Sequence, residues 1–275
     1  MSQKSKIKNH KLSAIVITRN EEERIRECLK SLFFANEIIV VDSGSIDKTV
    51  DIAKKYGAIV VEKTNSNFSD SRNRGAKMAK GNWLLYVDAD ERVTPALKKE
   101  ILSQITNHQA RSAKLRLSPI TSYAIPRRNF LLGHEMKYGG WWPDYVLRLI
   151  KRKALKMWKG ELHEQPEIDG KAGKLKNPLI HNTHRSLTTM IAKTNEWSEI
   201  EAKLMYDSNH PKMNITRFFT AAFREFWYRA IRRKGFLDGS VGIIEIIYQV
   251  FSRFVSYAKL WELQITEHRT PNTEH

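Results

Sequence analysis

The stretch Trp83-Leu84-Leu85-Tyr86-Val87-Asp88-Ala89-Asp90-Glu91 decides the fold of this 275-residue chain. Its first five residues are apolar or aromatic, which is typical of a buried strand. Three carboxylates follow within four positions, and unpaired carboxylates are costly to bury, so they are expected at the strand end. Ligands of open α/β sheets bind there, and an Asp-x-Asp can hold a divalent cation against a nucleotide diphosphate. The plainer interpretation is an acidic turn before a helix that begins at Thr94-Pro95.

Three further strands are predicted before this stretch, and helical segments separate them. Leu12–Thr18, Glu37–Asp42 and Ala58–Glu62 are nearly continuous apolar runs of the kind found in parallel sheets. Strands that alternate with helices in this way predict an α/β fold with a mostly parallel central sheet. From Ser186 onward apolar residues recur every three or four positions, which predicts a helical C-terminal extension.

The charge of the chain is strongly basic and uneven. The formal net charge is +17; residues 1–105 carry 19 lysines and arginines against 14 acidic residues, and residues 106–275 carry 28 against 16. This predicts a negatively charged partner for the C-terminal part, and nucleic acid, anionic lipid headgroups and a phosphorylated glycolipid all fit. Because neither a basic recognition helix nor an RNA-binding signature is present, we expect no nucleic acid partner.

The cellular compartment is predicted from features that the sequence lacks. Cys28 is the single cysteine, so there is no internal disulfide framework, which suits a reducing compartment. Met1–Lys11 is polar and basic without an apolar core behind it, so we expect no signal peptide. No window of eighteen residues is uncharged and apolar, so we expect no ordinary transmembrane helix. These features together predict a cytoplasmic location.

Four short motifs occur in order on the predicted elements. They are Ile15-Val16-Ile17-Thr18-Arg19-Asn20-Glu21-Glu22, Val40-Val41-Asp42-Ser43-Gly44-Ser45, Ser71-Arg72-Asn73-Arg74-Gly75 and Asp88-Ala89-Asp90-Glu91. This set resembles the nucleotide-sugar half of family 2 inverting glycosyltransferases. The resemblance implies a Rossmann-like, glycosyltransferase A-type fold and a metal-dependent, inverting hexosyl transfer from a UDP-sugar. Ser43 departs from many relatives, which carry a second acidic residue there.

Further motifs refine the resemblance to one subgroup. They are Gly139-Gly140-Trp141, Tyr145-Val146-Leu147-Arg148-Leu149, Leu162-His163-Glu164 and Gly235-Phe236-Leu237-Asp238-Gly239. These resemble the enzymes that add glucose or a related sugar to the inner core of lipopolysaccharide. The resemblance implies UDP-glucose as donor and a lipid-anchored glycan as acceptor, in cell envelope biosynthesis.

The resemblance also assigns roles to individual residues. The nucleotide-sugar would be bound by Thr18, Glu21, Asp42, Arg72 and Asp88. The cofactor Mg²⁺ or Mn²⁺ would be held by Asp90, with Asp88 and His181 near it, because both cations prefer oxygen ligands and keep positions open for phosphate. The acceptor would contact Trp141, Trp142 and Arg148, although buried packing is an equal alternative for the two tryptophans.

Inversion in one displacement needs a base that takes the proton of the acceptor hydroxyl. Glu164 is our candidate for this catalytic base, and His163 and Glu91 are its rivals. All residues of the Leu162-His163-Glu164 motif could instead be surface residues of a strand.

We divide the chain into four segments on these grounds. They are a basic tail (1–11), the nucleotide-sugar-binding half (12–106), the acceptor-side half (107–185) and the helical extension (186–275). In the extension, Arg224, Arg229, Arg232, Arg233 and Lys234 lie near Phe223, Phe226 and Trp227. This pattern predicts a peripheral contact with the anionic inner face of the cytoplasmic membrane. A helix that only packs on the rest of the protein is the alternative.

Three alternative functions stay open from the sequence. The same chemistry could act on a polyprenyl-linked glycan or on a protein. Nucleotidyl transfer also uses aspartate-bound metal, but Ile17–Glu23 lacks the glycine-rich triphosphate loop of that class. A nucleic-acid-binding or membrane-binding module without catalysis would explain the positive charge alone.

Overall fold

The computed structural model describes residues 12–62, 67–114, 120–162 and 164–266, with no side-chain detail for 107–114. The predicted basic tail and the candidate base His163 therefore lie outside the described residues. The chain forms two compact units. The first comprises the residues up to Arg128 together with Asp144–His181, and the second comprises Asn129–Pro143 together with the residues from Asn182 onward. The functional boundaries at residues 106 and 185 stay predictions.

Four parallel strands form one half of the sheet in the first unit, as predicted. They are β1 (Leu12–Thr18), β2 (Glu37–Asp42), β3 (Ile59–Glu62) and β4 (Trp83–Asp88), and they lie in the order β3-β2-β1-β4. All seven residues of β1 are buried, because the strand is apolar on both faces and is covered on both. This arrangement confirms the predicted Rossmann-like α/β class.

Three helices connect these strands: α1 (Ile25–Ser31), α2 (Thr49–Lys55) and α3 (Phe68–Met78). Helix α3 packs very closely on β1 at Gly75, where a Cβ atom would lie 2.4 Å from Ile15 Cγ2. Only glycine fits at this contact, which explains the glycine of the predicted Ser71–Gly75 motif. The close approach brings the start of α3, including Arg72, against the sheet.

The remaining strands add a mainly antiparallel part to the sheet, in which only the pairing of β11 with β6 is described as parallel, and a separate hairpin. In chain order they are β5 (Glu91–Val93), β6 (Ile120–Leu131), β7 (His134–Glu135), β8 (Asp144–Lys151), β9 (Leu155–Lys159), β10 (Gln165–Ile168), β11 (Lys171–Lys174) and β12 (Leu179–Asn182). Strand β8 pairs antiparallel with both β4 and β6, and β9 pairs with β10 as the hairpin. The short β5 and β12, which the sequence did not predict, pair with each other.

Helix α4 (Pro95–Lys114) begins where the sequence predicts it. The hydroxyl of Thr94 accepts a hydrogen bond from the Leu97 N–H at 3.1 Å, which satisfies a backbone donor of the first turn. The helix is 20 residues long. The acidic turn and the helix cap are therefore both present. The carboxylates of the turn lie just before the capped start of α4.

The second unit is mainly helical, as predicted. Its helices are α5 (Leu187–Asp207), α6 (Ile215–Phe226) and α7 (Gly239–Thr266), and both α5 and α6 pack along α7. Ser186 and Asn214 cap the first two helices through their side-chain oxygens. After α6 the chain continues as a π-helical segment (Trp227–Arg232) and a 3₁₀ turn (Gly235–Asp238).

Helix α7 with the preceding turn is long and apolar enough to cross a membrane. The span Gly235–Thr266 has a mean hydropathy of 1.2 in its best window, of which 28% is buried. This differs from the expectation of no such helix, because a window that tolerates one or two charges admits Glu245. Core helices of soluble proteins meet the same criterion, so it is weak support for a membrane span.

Candidate active site

Three strand ends in the first unit bring the predicted donor-binding residues to one edge of the sheet. Thr18 is the last residue of β1 and is paired in register with Asp42, the last residue of β2. Asp88 ends β4 and is in register with Ile17, one residue before Thr18. The carboxyl ends of parallel strands therefore place these three side chains together, where α/β sheets bind ligands.

The loops after β1 and β2 are joined by hydrogen bonds. The Asn20 N–H donates to Ser45 Oγ at 2.8 Å, and the Ile46 N–H donates to Asn20 Oδ1 at 2.9 Å. The Glu21 N–H donates to Thr49 Oγ1 at 2.7 Å. Asn20 adopts the left-handed conformation (φ 55°), which asparagine tolerates better than most residues. The first loop is thus fixed by the second, so both form a single rim of the site.

Asp42 is buried and anchors its own loop. Its Oδ2 accepts hydrogen bonds from the N–H groups of Gly44 (3.0 Å) and Ser45 (2.8 Å), and the Ser45 hydroxyl donates to Oδ1 at 2.5 Å. A carboxylate has about four acceptor positions, so Asp42 keeps capacity for one more donor. The Ser43 hydroxyl lies 3.2 Å from the Ser71 hydroxyl, so this loop also contacts α3.

Asp88 lies between two buried arginines. Arg72 Nη2 donates to Asp88 Oδ1 at 2.9 Å, and Arg148 Nη2 donates to Asp88 Oδ2. Burial alone would raise the pKa of Asp88, but the guanidinium groups of Arg148 and Arg72 outweigh it and hold this pKa well below its usual range. Asp88 is therefore a fixed negative charge at the end of β4.

Arg72 joins Asp88 to the candidate base. Its guanidinium carbon lies 4.9 Å from the centre of the Trp158 ring and 5.9 Å from that of Tyr86, so two aromatic faces hold it. Its Nε and Nη2 donate to Glu164 Oε1 at 3.0 and 2.8 Å. Among the described residues, Arg72 Nη1 has no hydrogen-bond partner although it is buried. A buried donor without a partner is costly, which makes Nη1 a candidate contact for a ligand.

Arg148 continues this ion-pair network on its other side. Its Nη2 donates to Glu91 Oε1 at 2.9 Å, and Arg127 Nη1 lies 3.5 Å from the same oxygen. Glu91 is fully buried, and its Oε2 accepts from the Asp88 N–H at 2.9 Å. Arg148 is thus buried and paired with Asp88 and Glu91, and its acceptor contact stays a prediction. The same burial disfavours Glu91 as a rival base.

Glu164 is better placed for a catalytic role than Glu91. Its side chain is largely buried but keeps 15% of its surface exposed to solvent. Within the part of the chain that the structure describes, the hydrogen bonds of its carboxylate all go to Oε1. Its Oε2 is therefore the atom that can accept a proton from an acceptor hydroxyl. The rival His163 lies outside the described residues.

Asp90 belongs to a second, smaller group of charges. His181 Nε2 lies 3.4 Å from Asp90 Oδ2, and Arg24 Nη1 lies 3.6 Å from the same oxygen. Arg24 in turn pairs with Glu21 at 2.6 Å. Burial raises the pKa of Asp90, but His181 and Arg24 together outweigh it, so the net effect is a lowered pKa. The structure thus brings together the predicted residues Glu21, Asp90 and His181.

Asp90 and His181 can supply part of the ligand set of the predicted cation. No cluster of three or more His, Cys, Asp or Glu side chains gathers as a complete metal cage in the described ranges. Asp90 offers carboxylate oxygens and His181 an imidazole nitrogen, whereas both oxygens of Asp88 face arginines. Mg²⁺ and Mn²⁺ commonly take one or two carboxylates and complete their shell with water and substrate phosphate. Asp90 with His181 therefore suits a cation that arrives with a diphosphate.

The aromatic motif of the second unit is held by the Gly235–Gly239 motif. The Asp238 carboxylate, which is buried, accepts hydrogen bonds from the N–H groups of Lys137 (3.1 Å) and Tyr138 (2.8 Å). Arg229 Nη1 donates to the Gly139 carbonyl at 3.2 Å. Two motifs about a hundred residues apart in the sequence thus form one clamp.

Within this clamp the two predicted acceptor tryptophans differ. Trp141 packs against the buried Leu131, Met136 and Met190, as the packing interpretation expects. Trp142 is 42% exposed, so its ring can contact a sugar. The acceptor role of both stays a prediction.

Sequence reasoning missed the residues that connect the site. Arg24 and Arg127 were not singled out, and neither were the loop residues Ser45 and Thr49. The signal for Arg148 was present, because a lone arginine among apolar residues of a predicted strand indicates a buried ion pair. The loop contacts had no comparable signal in the sequence.

The Rickettsia bellii protein named "Uncharacterized glycosyltransferase" is 28% identical over 272 residues, which cover 95% of this chain and 90% of that protein. The lipopolysaccharide core biosynthesis glycosyltransferase LpsC of Rhizobium meliloti is 26% identical over 276 residues, with 96% of each chain covered.

Among solved structures, S. aureus TarS 1–349 in complex with UDP-GlcNAc has a TM-score of 0.49 at 17% identity, covering 94% of this chain and 92% of that one. Glucosyl-3-phosphoglycerate synthase of Mycobacterium tuberculosis with Mn²⁺, UDP and glucosyl-3-phosphoglycerate also scores 0.49 at 17% identity, covering 76% and 83%. Residues 13–154, just over half of this chain, match the profile of glycosyl transferase family 2. The parallel strands, the Asp-x-Asp at the end of β4 and this match lead to one conclusion: the chain belongs to glycosyl transferase family 2 and is a glycosyltransferase.

Proposed function

We propose that this glycosyltransferase moves a sugar from a UDP-sugar, with UDP-glucose as the first candidate, to a lipid-linked glycan with inversion of the anomeric centre. The observation that carries the proposal is the link Asp88–Arg72–Glu164. One buried arginine holds a carboxylate of the donor edge and the candidate base at a fixed separation. Such positioning is what a single displacement between donor and acceptor needs.

The donor lies, in this proposal, along the edge formed by Thr18, Asp42 and Asp88. Thr18 Oγ1 is buried and has no partner among the described residues, like Nη1 of Arg72. Unsatisfied polar atoms of this kind support a polar ligand at the edge. Asp42 has acceptor capacity for a base or ribose donor, and Glu21 lines the first loop.

A divalent cation, Mg²⁺ or Mn²⁺, would be held by Asp90 and His181, with Asp88 as an electrostatic neighbour. When bound it would neutralise the charge that grows on the diphosphate as the glycosidic bond breaks. The pKa of Asp90 is lowered in spite of its burial, so its carboxylate is ionised and can bind the cation.

Glu164 acts as the base. The acceptor hydroxyl oxygen forms the new bond to the anomeric carbon, its proton goes to Glu164 Oε2, and the bond to the diphosphate oxygen breaks to release UDP. Arg72 orients the carboxylate by holding Oε1. Because attack and departure occur on opposite faces, the configuration inverts.

The acceptor is proposed to be a lipid-anchored core glycan. The relative LpsC, which carries lipopolysaccharide core biosynthesis in its name, supports this class over the full length of the chain. A polyprenyl-linked glycan is the alternative of the same chemistry. Since the acceptor class is lipid-anchored and the chain carries a net charge of +17, we place the enzyme at the cytoplasmic face of the inner membrane.

The test of the donor and the metal is a screen of UDP-sugars for hydrolysis and transfer, with and without excess EDTA. We expect turnover with one UDP-hexose that EDTA removes and Mn²⁺ or Mg²⁺ restores. Asp90→Asn should lower transfer by about 10³-fold, since several kcal/mol of charge stabilisation is lost. Asp51→Asn, at an exposed position on α2, is the control. Undiminished wild-type turnover in excess chelator would contradict the metal site.

The test of the base is Glu164→Gln beside Glu161→Gln, which changes an exposed residue three positions earlier. Removal of a positioned general base typically costs about 10²–10⁴-fold in rate, and donor binding should persist. A Glu164→Gln enzyme with the rate of the Glu161→Gln control would show that another group takes the proton.

A further inference from the structure

Helix α6 and the π-helical segment after it carry a row of exposed apolar side chains. Ile215, Phe219, Phe223, Trp227 and Ile231 recur every four residues and are all exposed, so they form a continuous stripe that winds slowly along the segment. Phe219 is 71% exposed and Phe223 is 63% exposed. Large apolar side chains in a continuous row are unusual on the surface of a monomeric soluble protein and mark an interaction surface.

Helix α7 carries a second row of the same kind. Ile243, Ile247, Phe251, Phe254 and Trp261 follow each other at spacings of four, four, three and seven, which also keep to one helical face. The row extends for about 27 Å at 1.5 Å per residue. Its member Phe254 lies 5.6 Å, between ring centres, from Phe218 of α6, so the second row adjoins the helix that carries the first.

The turn between the two helices continues the apolar surface. Phe236 and Leu237, in the 3₁₀ turn, are both about half exposed. Arg232, Arg233 and Lys234 precede them, and all three are exposed. The turn therefore presents two apolar side chains directly beside three positive charges.

The charges on residues 215–261 are sorted by sign. The segment has eight basic and three acidic residues. The acids face inward: Glu225 is paired with Arg229 at 2.6 Å, Asp238 holds the Lys137–Tyr138 backbone, and Glu245 is 1% exposed. The exposed charged residues are all basic, namely Arg217, Arg224, Arg232, Arg233 and Lys234.

Arg229 does not belong with these exposed arginines, although the sequence grouped it with them. Its Nε donates to Glu225, its Nη1 to the Gly139 carbonyl and its Nη2 to Gln249 at 3.3 Å. It thus braces the clamp within the second unit.

We propose that the face formed by these two rows and the Phe236-Leu237 turn is a lipid-binding surface that lies in the headgroup region of an anionic bilayer. The apolar rows supply the inserted area, and Arg224, Arg232 and Lys234 contact lipid phosphates. An aromatic-rich apolar face with cationic residues at its margin is the pattern of an interfacial helix. Because the exposed charged residues of this segment are all basic, the surface binds anionic lipid in preference to neutral lipid. This inference rests on the proposed function for its biological setting, since it names the surface on which the acceptor is carried.

The first experiment measures binding of the full chain to vesicles of phosphatidylcholine with and without phosphatidylglycerol. We expect binding to the anionic vesicles that weakens as salt is raised, and little binding to neutral ones. Phe219→Ser is compared with Phe33→Ser, a matched change of a 59% exposed phenylalanine in the first unit. The triple change of Phe219, Phe223 and Trp227 to Ser should lower the partition coefficient by about 100-fold or more, and the Phe33 control should leave it unchanged.

The second experiment tests the role of the basic residues and the depth to which the apolar side chains insert into the bilayer. Replacement of Arg224, Arg232 and Lys234 by Gln should weaken anionic binding by about fivefold for each residue. Brominated lipids should quench wild-type tryptophan fluorescence, and Trp227→Phe should remove part of that quenching. Circular dichroism of each variant confirms that the helices are intact.

Three outcomes would overturn the inference. They are equal binding to neutral and anionic vesicles, binding that the Phe and Trp replacements leave unchanged, and dissociation of a homo-oligomer by those replacements without lipid. Resistance of the wild-type protein to alkaline carbonate extraction would show that α7 spans the bilayer, and it would overturn the interfacial geometry.

Hydrolysis of the UDP-sugar without acceptor is measured on the same samples. Vesicle binding without hydrolysis in the wild type would contradict the proposed function and leave the surface intact. Hydrolysis without vesicle binding would contradict the lipid-binding surface and leave the proposed function intact.

Discussion

The two units of this chain treat charge and apolar surface in opposite ways. In the first unit, Arg72 and Arg148 are buried and paired with carboxylates, and the apolar strands are covered. In the second unit, the acids of residues 215–261 are buried or paired, while arginines of α6 and its π-helical continuation and large apolar side chains of α6 and α7 are exposed. Buried charge is costly unless it is paired, so its presence indicates a site that needs fixed charges. Exposed apolar surface is equally costly, so its presence indicates a surface that something else covers.

The largest effect is expected from the buried charges. Arg72→Met removes the partner of both Asp88 and Glu164, and loss of one member of a buried pair typically costs about 3–5 kcal/mol. Arg74→Met, an exposed position on the same helix, should change stability by about 0.5 kcal/mol or less. Urea unfolding of both variants measures the difference, and transfer activity should be lost only in Arg72→Met. Similar unfolding free energies for the two would break the contrast between buried and exposed arginines.

The next effect concerns Glu245 in the second unit. Burial raises the pKa of Glu245 from 4.5 to about 7, against the lowering effects of Gln249 and Arg229, with Glu225 also nearby. The folded state therefore holds this proton more tightly than the unfolded chain. The resulting stability is fully present below pH 4.5 and is lost as the pH rises through about 7. The loss amounts to about 3 kcal/mol.

Glu245→Gln should abolish this part of the pH dependence and make the protein more stable than wild type at pH 8. Thermal or urea unfolding at pH 5 and pH 8 measures it. Glu262→Gln, at an exposed position on α7, is the matched control and should retain the wild-type dependence. Identical pH profiles for both variants would mean that Glu245 is not the group responsible.

The smallest effect separates two kinds of arginine within the second unit. Arg229→Met loses its bonds to Glu225, Gly139 and Gln249, and should lower the free energy of unfolding by about 1–2 kcal/mol. Arg217→Met, at an exposed position near the start of α6, should lower it by about 0.5 kcal/mol or less. Denaturant unfolding gives both values. If Arg229→Met is as stable as wild type but binds anionic vesicles poorly, Arg229 belongs to the lipid-binding surface.

Elements with one dominant local signal were predicted well from the sequence. β1, β2 and β4 were found because each is a continuous apolar run that ends on a polar side chain. The three-to-four spacing likewise located α6 and α7, though not the π-helical continuation at Trp227. The positions of Asp42, Asp88 and Asp90 followed from where parallel strands end.

Features that depend on contacts distant in the sequence were not predicted. The hydrogen bond between Asn20 and Ser45 arises from strand order and register, which single residues do not encode. Glu164 could be named but not placed, because its position beside Arg72 depends on a contact across 92 residues. Residue types therefore predicted the chemistry of the candidate site, whereas its geometry could be determined only from the folded structure.

The clamp by Asp238 has a consequence for synthesis of the chain. The backbone of Lys137 and Tyr138 is held by a carboxylate that lies about a hundred residues later in the sequence. On the ribosome, the segment that ends in Trp142 therefore lacks this anchor until Asp238 has emerged, since domains assemble in the order in which they are made. All four parallel strands of the first unit have been synthesised by Asp88. A nascent chain thus contains the strand ends of the first unit about 150 residues before it contains the carboxylate that holds the tryptophan loop.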